Sequence, residues 1–142
     1  MTEIDFYSGG DKLHTACRLV AKAVRKGLKV MVYSSDVTTL EGIDKLLWTF
    51  SPMDFIPHCR ADHKLADVTP VVLGHNAKKI PHDEVLVSLR NEVPPFFSRF
   101  QRLIEIVSAA DETDKREARE RYRHYRDRGY ELRNHNMAQA SS

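Results

Sequence analysis

The stretch Val30–Tyr33 constrains the fold of this chain more than any other part of its sequence. Its residues, Val-Met-Val-Tyr, form an almost unbroken apolar run. A strand with one face in water alternates apolar and polar residues, whereas a central strand of a parallel sheet is buried on both faces. Residues 71–73 and 85–87 are two further apolar runs of strand length. The sequence therefore predicts a parallel sheet that is covered on both sides.

Amphipathic segments next to these runs predict the covering helices. Apolar residues recur there at helical spacing, in one set of Leu13, Ala16, Cys17, Val20 and Val24 and a second set of Leu40, Ile43 and Leu47. Short strands are predicted at 4–7 and 103–107, so the predicted order is β-α-β-α-(short strand)-β-β-α-β-α. This order predicts an α/β fold: a single three-layer domain with a largely parallel, twisted sheet and helices on both faces.

Capping residues, prolines and polar stretches predict the element boundaries. The predicted caps are Gly27 at the end of the first helix, Thr38 with Glu41 as a capping box on the second, and Thr113 at the start of the last. Residues 59–69 are predicted to be a surface loop, and residues 91–100 a helix that begins near its two prolines. The polar residues 134–142 are predicted to be a flexible C-terminal tail, which leaves 1–133 as the domain.

The strand–glycine–helix opening of the chain resembles that of nucleotide-binding domains. The dinucleotide fingerprint requires three glycines in G-x-G-x-x-G, but the chain has only Gly9 and Gly10, with Leu13 at the third position. The spacing and hydroxyl of a P-loop are also missing. Asp11 would place a negative charge where phosphates bind. We therefore predict a nucleotide-binding-like topology without a nucleotide site, and no cofactor.

Composition and spacing exclude several classes of function. The net charge of +2 over 142 residues does not indicate nucleic acid, so any basic site must be local. The acidic first residues and the lack of a long apolar run predict no signal peptide and no membrane span. Cys17 and Cys59 are predicted to be reduced thiols of a cytoplasmic protein. No metal-ligand spacing and no catalytic constellation occurs, so we predict neither a metal site nor an enzyme.

A basic helix is predicted over residues 114–130. Lys115, Arg119, Tyr122 and Arg126 lie at i, i+4, i+7 and i+11, so they share one face. From Lys115 to Arg128 there are seven Lys/Arg and three Asp/Glu residues, a local net charge of about +4. Such a face fits simple solvation, phosphate binding, or a pocket in which guanidinium groups pair with the carboxylates of an acidic peptide. The tyrosine within the basic row favours the two binding interpretations but does not separate them.

A second unusual segment, residues 48–58, is rich in large apolar side chains. These are Trp48, Phe50, Met53, Phe55 and Ile56. Two prolines prevent the segment from forming one long element. Its side chains either fill the core at the edge of the sheet or form an exposed apolar patch that binds a protein partner.

Both segments resemble parts of one known family. The matching motifs are Leu46-Leu47-Trp48, Phe55-Ile56-Pro57-His58, and Ala118-Arg119-Glu120-Arg121-Tyr122-Arg123 with Tyr125-Arg126 and Gly129, together with Phe6-Tyr7 and Leu86-Val87-Ser88-Leu89-Arg90. In this order and spacing, over nearly the whole chain, they resemble the chi-subunit family of bacterial DNA polymerase III.

The resemblance implies a non-catalytic accessory subunit of the clamp-loader complex that acts in DNA replication. Such a subunit would bind the psi subunit and the acidic C-terminal tail of single-stranded DNA-binding protein, with weak or no direct contact to DNA. The implied psi-binding residues are Trp48, Phe55 and Ile56, and the implied tail-binding residues are Lys115, Arg119, Tyr122, Arg123 and Arg126.

The basic helix also leaves an alternative. His124 and Arg128 stand where the resemblance leads us to expect smaller or neutral residues, so this helix is more basic than expected. The alternative is a small single-stranded nucleic-acid-binding protein that uses the basic C-terminal helix against phosphates and bases.

Overall fold

The structure is a computed structural model that describes residues 1–49 and 55–137, and it has the predicted α/β architecture. Its strands are β1 (Glu3–Ser8), β2 (Val30–Tyr33), β3 (His58–Arg60), β4 (Val71–Gly74), β5 (Val85–Ser88), β6 (Arg102–Ile106) and β7 (Leu132–Asn136). They form one sheet in the order β3-β4-β2-β5-β6-β1-β7, and all neighbouring strands are parallel. The helices are α1 (Lys12–Arg25), α2 (Val37–Thr49) and α3 (Glu112–Asp127).

Two apolar cores separate the three layers, one on each face of the sheet. Val30 and Val32 of β2 point to the core beneath α1 and α2, which also contains Cys17. Met31 of β2 points to the opposite core, beneath α3. All of these side chains are buried, so the prediction of a central strand covered on both faces is confirmed. No helix of the described residues is long and apolar enough to cross a bilayer.

Aspartates, rather than the predicted threonines, cap two of the helices. The Asp36 carboxylate accepts a hydrogen bond from the backbone N of Thr38 at 3.0 Å, just before α2 begins. Asp111 accepts from the backbone N of Thr113 at 2.9 Å and caps α3 in the same way. The predicted N-cap Thr113 is wrong because that residue already lies inside the helix, where its own N–H needs a partner. The predicted C-terminal signal of α1 is confirmed, since Gly27 has a φ of +79°.

The helix predicted over residues 91–100 is wrong. Only a 3-10 turn, Phe97–Arg99, forms there. The consecutive prolines Pro94 and Pro95 disfavour helical backbone at the residue before each of them. The phenylalanines of this segment, Phe96, Phe97 and Phe100, are buried in the core beneath α3. The spacing of these three phenylalanines therefore comes from a turn that packs into the core and not from a helix. The predicted loop 59–69 likewise contains regular structure, because β3 extends to Arg60 and a 3-10 turn covers Ala66–Val68.

The polar C-terminal segment contains an edge strand that the sequence did not predict. β7 pairs along β1, with Ile4 opposite Leu132 and Ser8 opposite Asn136. The tail predicted to begin at residue 134 is therefore wrong as far as Asn136, and residues 138–142 lie outside the described residues. An edge strand exposes one side to water and need not be apolar. The polar side chains of β7 concealed the strand.

Candidate functional site

The basic face of α3 forms one wall of a cleft of about 490 Å³ at the carboxyl ends of the strands. All five residues expected to bind the tail peptide line it: Lys115, Arg119, Tyr122, Arg123 and Arg126. The opposite wall consists of Phe6, Ser8 and Gly9 from β1 and the turn after it, Val107 and Ala109 after β6, and Asn134 and Asn136 from β7. The structure thus places the predicted residues together in one concave site.

The topology of the sheet explains why a cleft forms at this place. β1 and β6 are neighbours, but the helices that follow them lie on opposite faces of the sheet, α1 over one core and α3 over the other. The two connecting loops therefore diverge. In open α/β sheets, such points at the carboxyl ends of the strands are the usual place for a ligand.

The floor of the cleft is apolar and contains a fixed aromatic ring. Tyr122 packs on Phe6, with ring centroids 5.4 Å apart. Its hydroxyl accepts a hydrogen bond from the side-chain amide of Asn134 at 3.5 Å. Ala118 also lines the cleft and is buried in the core beneath α3. The phenol ring is therefore held as an apolar surface inside a basic cleft, which is a site for an apolar or aromatic side chain.

The cations of the cleft differ in what already neutralises them. Lys115 pairs with Glu112 and Arg126 pairs with Asp127, both at 3.3 Å and both in solvent, so these contacts are weak. Arg119 and Arg123 are exposed and make no ion pair with any described residue. None of the residues lining the cleft is acidic. Two unneutralised guanidinium groups therefore face an acid-free site, which suits a carboxylate ligand.

A buried network anchors α3 to the sheet. Glu105 of β6 is fully buried, and its carboxylate accepts a hydrogen bond from the Tyr125 hydroxyl at 2.6 Å. Its other oxygen lies 3.2 Å from Nε of Arg121, which is 3% exposed. Arg121 also donates to the carbonyl of Asn91 at 2.7 Å. This network fixes the rotation of α3 and therefore which of its residues face the cleft.

Burial governs the titration of the two acidic members of this network. It raises the pKa of Glu105, and the charge of Arg121 acts against that shift. It also raises the pKa of Tyr125, and the neighbouring Glu105 charge adds to the effect. The network was not predicted from the sequence. A single glutamate inside the apolar run 103–107 was the signal that could have revealed it, because a buried carboxylate requires a partner.

The start of α3 is fixed by a second buried carboxylate. Asp114 accepts a hydrogen bond from the backbone N of Ser108 at 2.7 Å. Its other oxygen lies 3.4 Å from Nζ of Lys12 on α1. Asp114 therefore connects α3 to the loop after β6 and to the first turn of α1. At the N-terminus of α1 itself, hydrogen bonds from the backbone and ring of His14 lower the pKa of Asp11, which occupies the position a phosphate would need.

The second predicted surface lies at the other edge of the sheet, beside β3. Trp48 is 58% exposed and Phe55 is 66% exposed. Their rings contact each other with centroids 5.3 Å apart, and the Trp48 ring also packs on His58. Ile56 is only 3% exposed and belongs to the core beneath α1 and α2, so its expected place on the binding surface is wrong. Phe50 and Met53 lie outside the described residues.

His58 supports this aromatic pair from below. Its Nδ1 lies 2.8 Å from the carbonyl of Ile56, and its Nε2 lies 2.9 Å from a carboxylate oxygen of Asp44. The contact with Asp44 connects β3 to α2 next to the Trp48 ring, and the contact with Ile56 fixes the chain just before β3. The exposed rings of Trp48 and Phe55 are therefore supported by a histidine that is itself held by two polar contacts. They form an apolar patch of the kind that binds protein partners. Within the described residues, no group of three or more His, Cys, Asp or Glu is placed to hold a metal ion.

Comparison with known proteins gives one consistent result. Residues 1–133 match the model of the family described as DNA polymerase III chi subunit, HolC. The chain is 34% identical to DNA polymerase III subunit chi of Pseudomonas aeruginosa, over 96% of this chain and 98% of that protein. It is 33% identical to the Haemophilus influenzae subunit, over 86% and 85%, and 29% identical to the Escherichia coli subunit, over 92% and 88%. The chain therefore belongs to the DNA polymerase III chi subunit family, whose members are accessory subunits of the replicative polymerase.

Proposed function

We propose that this chain bridges the psi subunit of the clamp-loader complex and the acidic C-terminal tail of single-stranded DNA-binding protein, without catalytic activity of its own. One observation carries the proposal for the tail. Two arginines without ion-pair partners among the described residues, Arg119 and Arg123, flank a fixed phenol ring in a cleft whose lining contains no acid. That combination suits a peptide with carboxylates and a terminal apolar or aromatic residue.

In this proposal each basic or aromatic side chain of the cleft has a separate role. Arg119 takes a carboxylate of the peptide, in our proposal the terminal one, through a bidentate contact. The terminal side chain packs on Tyr122 and Phe6. Arg123 binds a second acid. Lys115 and Arg126 contribute less, because each must give up its contact with Glu112 or Asp127 to bind the peptide.

The number of contacts sets the expected affinity. A hydrogen bond to a charged group contributes about 1.5–3 kcal/mol, and exposed ion pairs contribute less. A short peptide with a few such contacts is expected to bind with a Kd of about 1 μM. Several tails on one partner would raise the effective concentration and strengthen the association without new contacts.

The positions of the two surfaces support simultaneous binding. The cleft lies beside β7 and the Trp48–Phe55 pair lies beside β3, at opposite edges of the seven-stranded sheet. Six strand spacings of about 4.8 Å separate the edges by about 29 Å. A short peptide in the cleft would not reach the aromatic pair, so both partners can occupy the chain at once.

Retention of single-stranded DNA-binding protein on the immobilised chain tests the tail proposal. We expect the intact partner to be retained and a version that lacks its last few residues to be lost, because the cleft binds only the acidic end. Equal retention of both versions would contradict the proposal. If the wild-type chain retained bare single-stranded DNA and the Arg119→Ala variant did not, the result would instead support nucleic-acid binding by α3.

Replacing Phe55 by alanine tests the psi surface. We expect the affinity for the psi subunit to fall about tenfold, since exposed aromatic side chains at the centre of an interface typically contribute more than 1 kcal/mol. Leu65→Ala is the matched control, because Leu65 is also an exposed large apolar residue but lies outside the aromatic pair. Titration calorimetry of the purified subunits gives both values. An unchanged affinity for Phe55→Ala would exclude this patch from the interface, and tail binding should be unaffected in either variant.

A further inference from the structure

The exposed side of α1 and the turn after it carry basic side chains and no acidic ones. From Lys12 to Lys29 the sequence has six Lys/Arg residues and no Asp or Glu. Arg18, Lys22 and Lys26 are exposed and lie at i, i+4 and i+8, so they follow one another about 6 Å apart along the helix. None of the three side chains pairs with a described carboxylate. The helix thus presents a row of unneutralised cations.

A groove runs along this row, between α1 and the edge of the sheet. Its wider part has a volume of about 380 Å³ and is lined by Arg18, Lys22 and His135. A narrower part of about 60 Å³ is lined by Lys22, Lys26 and Arg102. Tyr7 and Leu19 line both parts, so the groove is continuous. The groove forms because α1 packs over β2, β5 and β6 and leaves this face of the neighbouring strands β1 and β7 less covered.

The sheet side of the groove carries two arginines and a histidine around a buried acid. Asp5 of β1 is fully buried and lies 3.0 Å from Arg102, 2.9 Å from Arg133 and 2.9 Å from His135. Burial raises the pKa of Asp5, but hydrogen bonds from His135 and Arg133 and the charge of Arg102 outweigh it, so the pKa is below its ordinary value. Asp5 and Glu3 balance the charges of Arg102 and Arg133, so the excess positive charge of the groove comes from the row on α1.

A flat ring stands beside the cations. His135 stacks on Tyr7 with ring centroids 4.3 Å apart and an angle of 12° between the planes. Tyr7 is buried, whereas the His135 side chain is 39% exposed. A groove that combines a row of cations with an exposed ring suits single-stranded nucleic acid, whose phosphates and bases use both features. An acidic peptide would use only the charges.

We propose that the groove between α1 and the β1–β7 edge binds single-stranded nucleic acid, with Arg18, Lys22 and Lys26 on neighbouring phosphates and a base against His135. This surface lies on the other side of β7 from the cleft beside α3, and the two share one lining residue, Asn136. β7 lies between the two, because alternate residues of a strand point to opposite faces: Asn134 lines the cleft, and His135 lines the groove. The proposal therefore does not depend on the function proposed for the cleft.

Fluorescence anisotropy with a labelled oligothymidine and the full chain alone tests the proposal. We expect weak binding that falls steeply with salt. The double variant Arg18→Glu/Lys22→Glu is expected to bind about tenfold more weakly or worse. Loss of two phosphate contacts should also lower the slope of log affinity against log salt concentration by about 1.4, since each contributes about 0.7 on a single strand. Both side chains are exposed, so thermal unfolding should be unchanged.

Two control variants make the result specific. Lys64→Glu/Lys79→Glu changes the net charge by the same amount at exposed positions near β3 and β4, and it should bind the oligonucleotide like the wild type. An equal loss of oligonucleotide affinity in both double variants would show that only the net charge of the chain matters, and it would overturn the proposal. The Arg119→Ala variant should also retain oligonucleotide binding. If this variant lost that binding, the nucleic-acid site would lie on α3 and not in the groove. The proposal would also be overturned if the wild-type chain did not bind the oligonucleotide at low salt. The same holds if Arg18→Glu/Lys22→Glu lost affinity for the acidic tail peptide but kept its affinity for the oligonucleotide.

Discussion

Replacing Arg119 by alanine is expected to weaken binding of the acidic tail peptide by roughly 10- to 150-fold. The reason is that a charge-assisted contact contributes about 1.5–3 kcal/mol, and each 1.36 kcal/mol corresponds to a factor of about ten in affinity. Arg119 is exposed and lacks an ion-pair partner among the described residues, so it has no internal contact to give up when a carboxylate arrives. Titration calorimetry with the isolated peptide measures the change directly.

Two further variants on α3 separate the geometry of the contact from its charge. Arg119→Lys keeps the charge but loses the planar fork, so an intermediate affinity is expected if the contact is bidentate. Arg116→Ala removes the same side chain type at an exposed position of the same helix that does not line the cleft, and it should leave the affinity unchanged. Equal effects of Arg116→Ala and Arg119→Ala would show that only the overall charge of α3 matters. A wild-type affinity for Arg119→Ala would remove the cleft from the proposal.

The helical wall of the cleft could be predicted from the sequence because it depends on local geometry alone. Lys115, Arg119, Tyr122 and Arg126 share a face of α3 wherever that helix lies. The opposite wall could not be predicted. Phe6 and Asn134 are separated by nearly the whole chain, and they meet only because β1 and β7 are neighbours in the sheet. Strand order is a global property that no spacing within one segment contains.

The remaining errors also have physical causes. Ile56 is close in sequence to Phe55, yet one side chain is in the core and the other is in solvent. A proline-broken apolar segment has no period from which the buried positions can be read. β7 was not predicted because its side chains are polar, and a polar sequence at the end of a chain is typical of a flexible tail. Its Arg133 and His135 are held by Asp5, and a carboxylate at position 5 gives no indication of those partners from the sequence.

Replacing Arg121 by alanine is expected to lower the free energy of unfolding by about 3–5 kcal/mol, the largest effect we predict for a single substitution. Arg121 is one arginine among several on α3, but it is buried against the carboxylate of Glu105. Its removal leaves that carboxylate without its counter-charge and the carbonyl of Asn91 without its donor. Urea unfolding of the purified variant measures the change, with exposed Arg116→Ala as a control that should differ from the wild type by less than about 0.5 kcal/mol.

The dependence on pH separates loss of the charge pair from loss of packing. The pKa of Glu105 is raised above its ordinary value of 4.5 by burial, and removal of Arg121 takes away the opposing charge and raises it further. A raised pKa in the folded state means that stability decreases as pH rises from the unfolded-state value through the folded one. The deficit of Arg121→Ala should therefore be small below pH 4.5 and grow as pH rises. A deficit that is constant with pH would indicate a cavity alone, and recovery of stability in Arg121→Met/Glu105→Leu would identify the unpaired carboxylate as the cause.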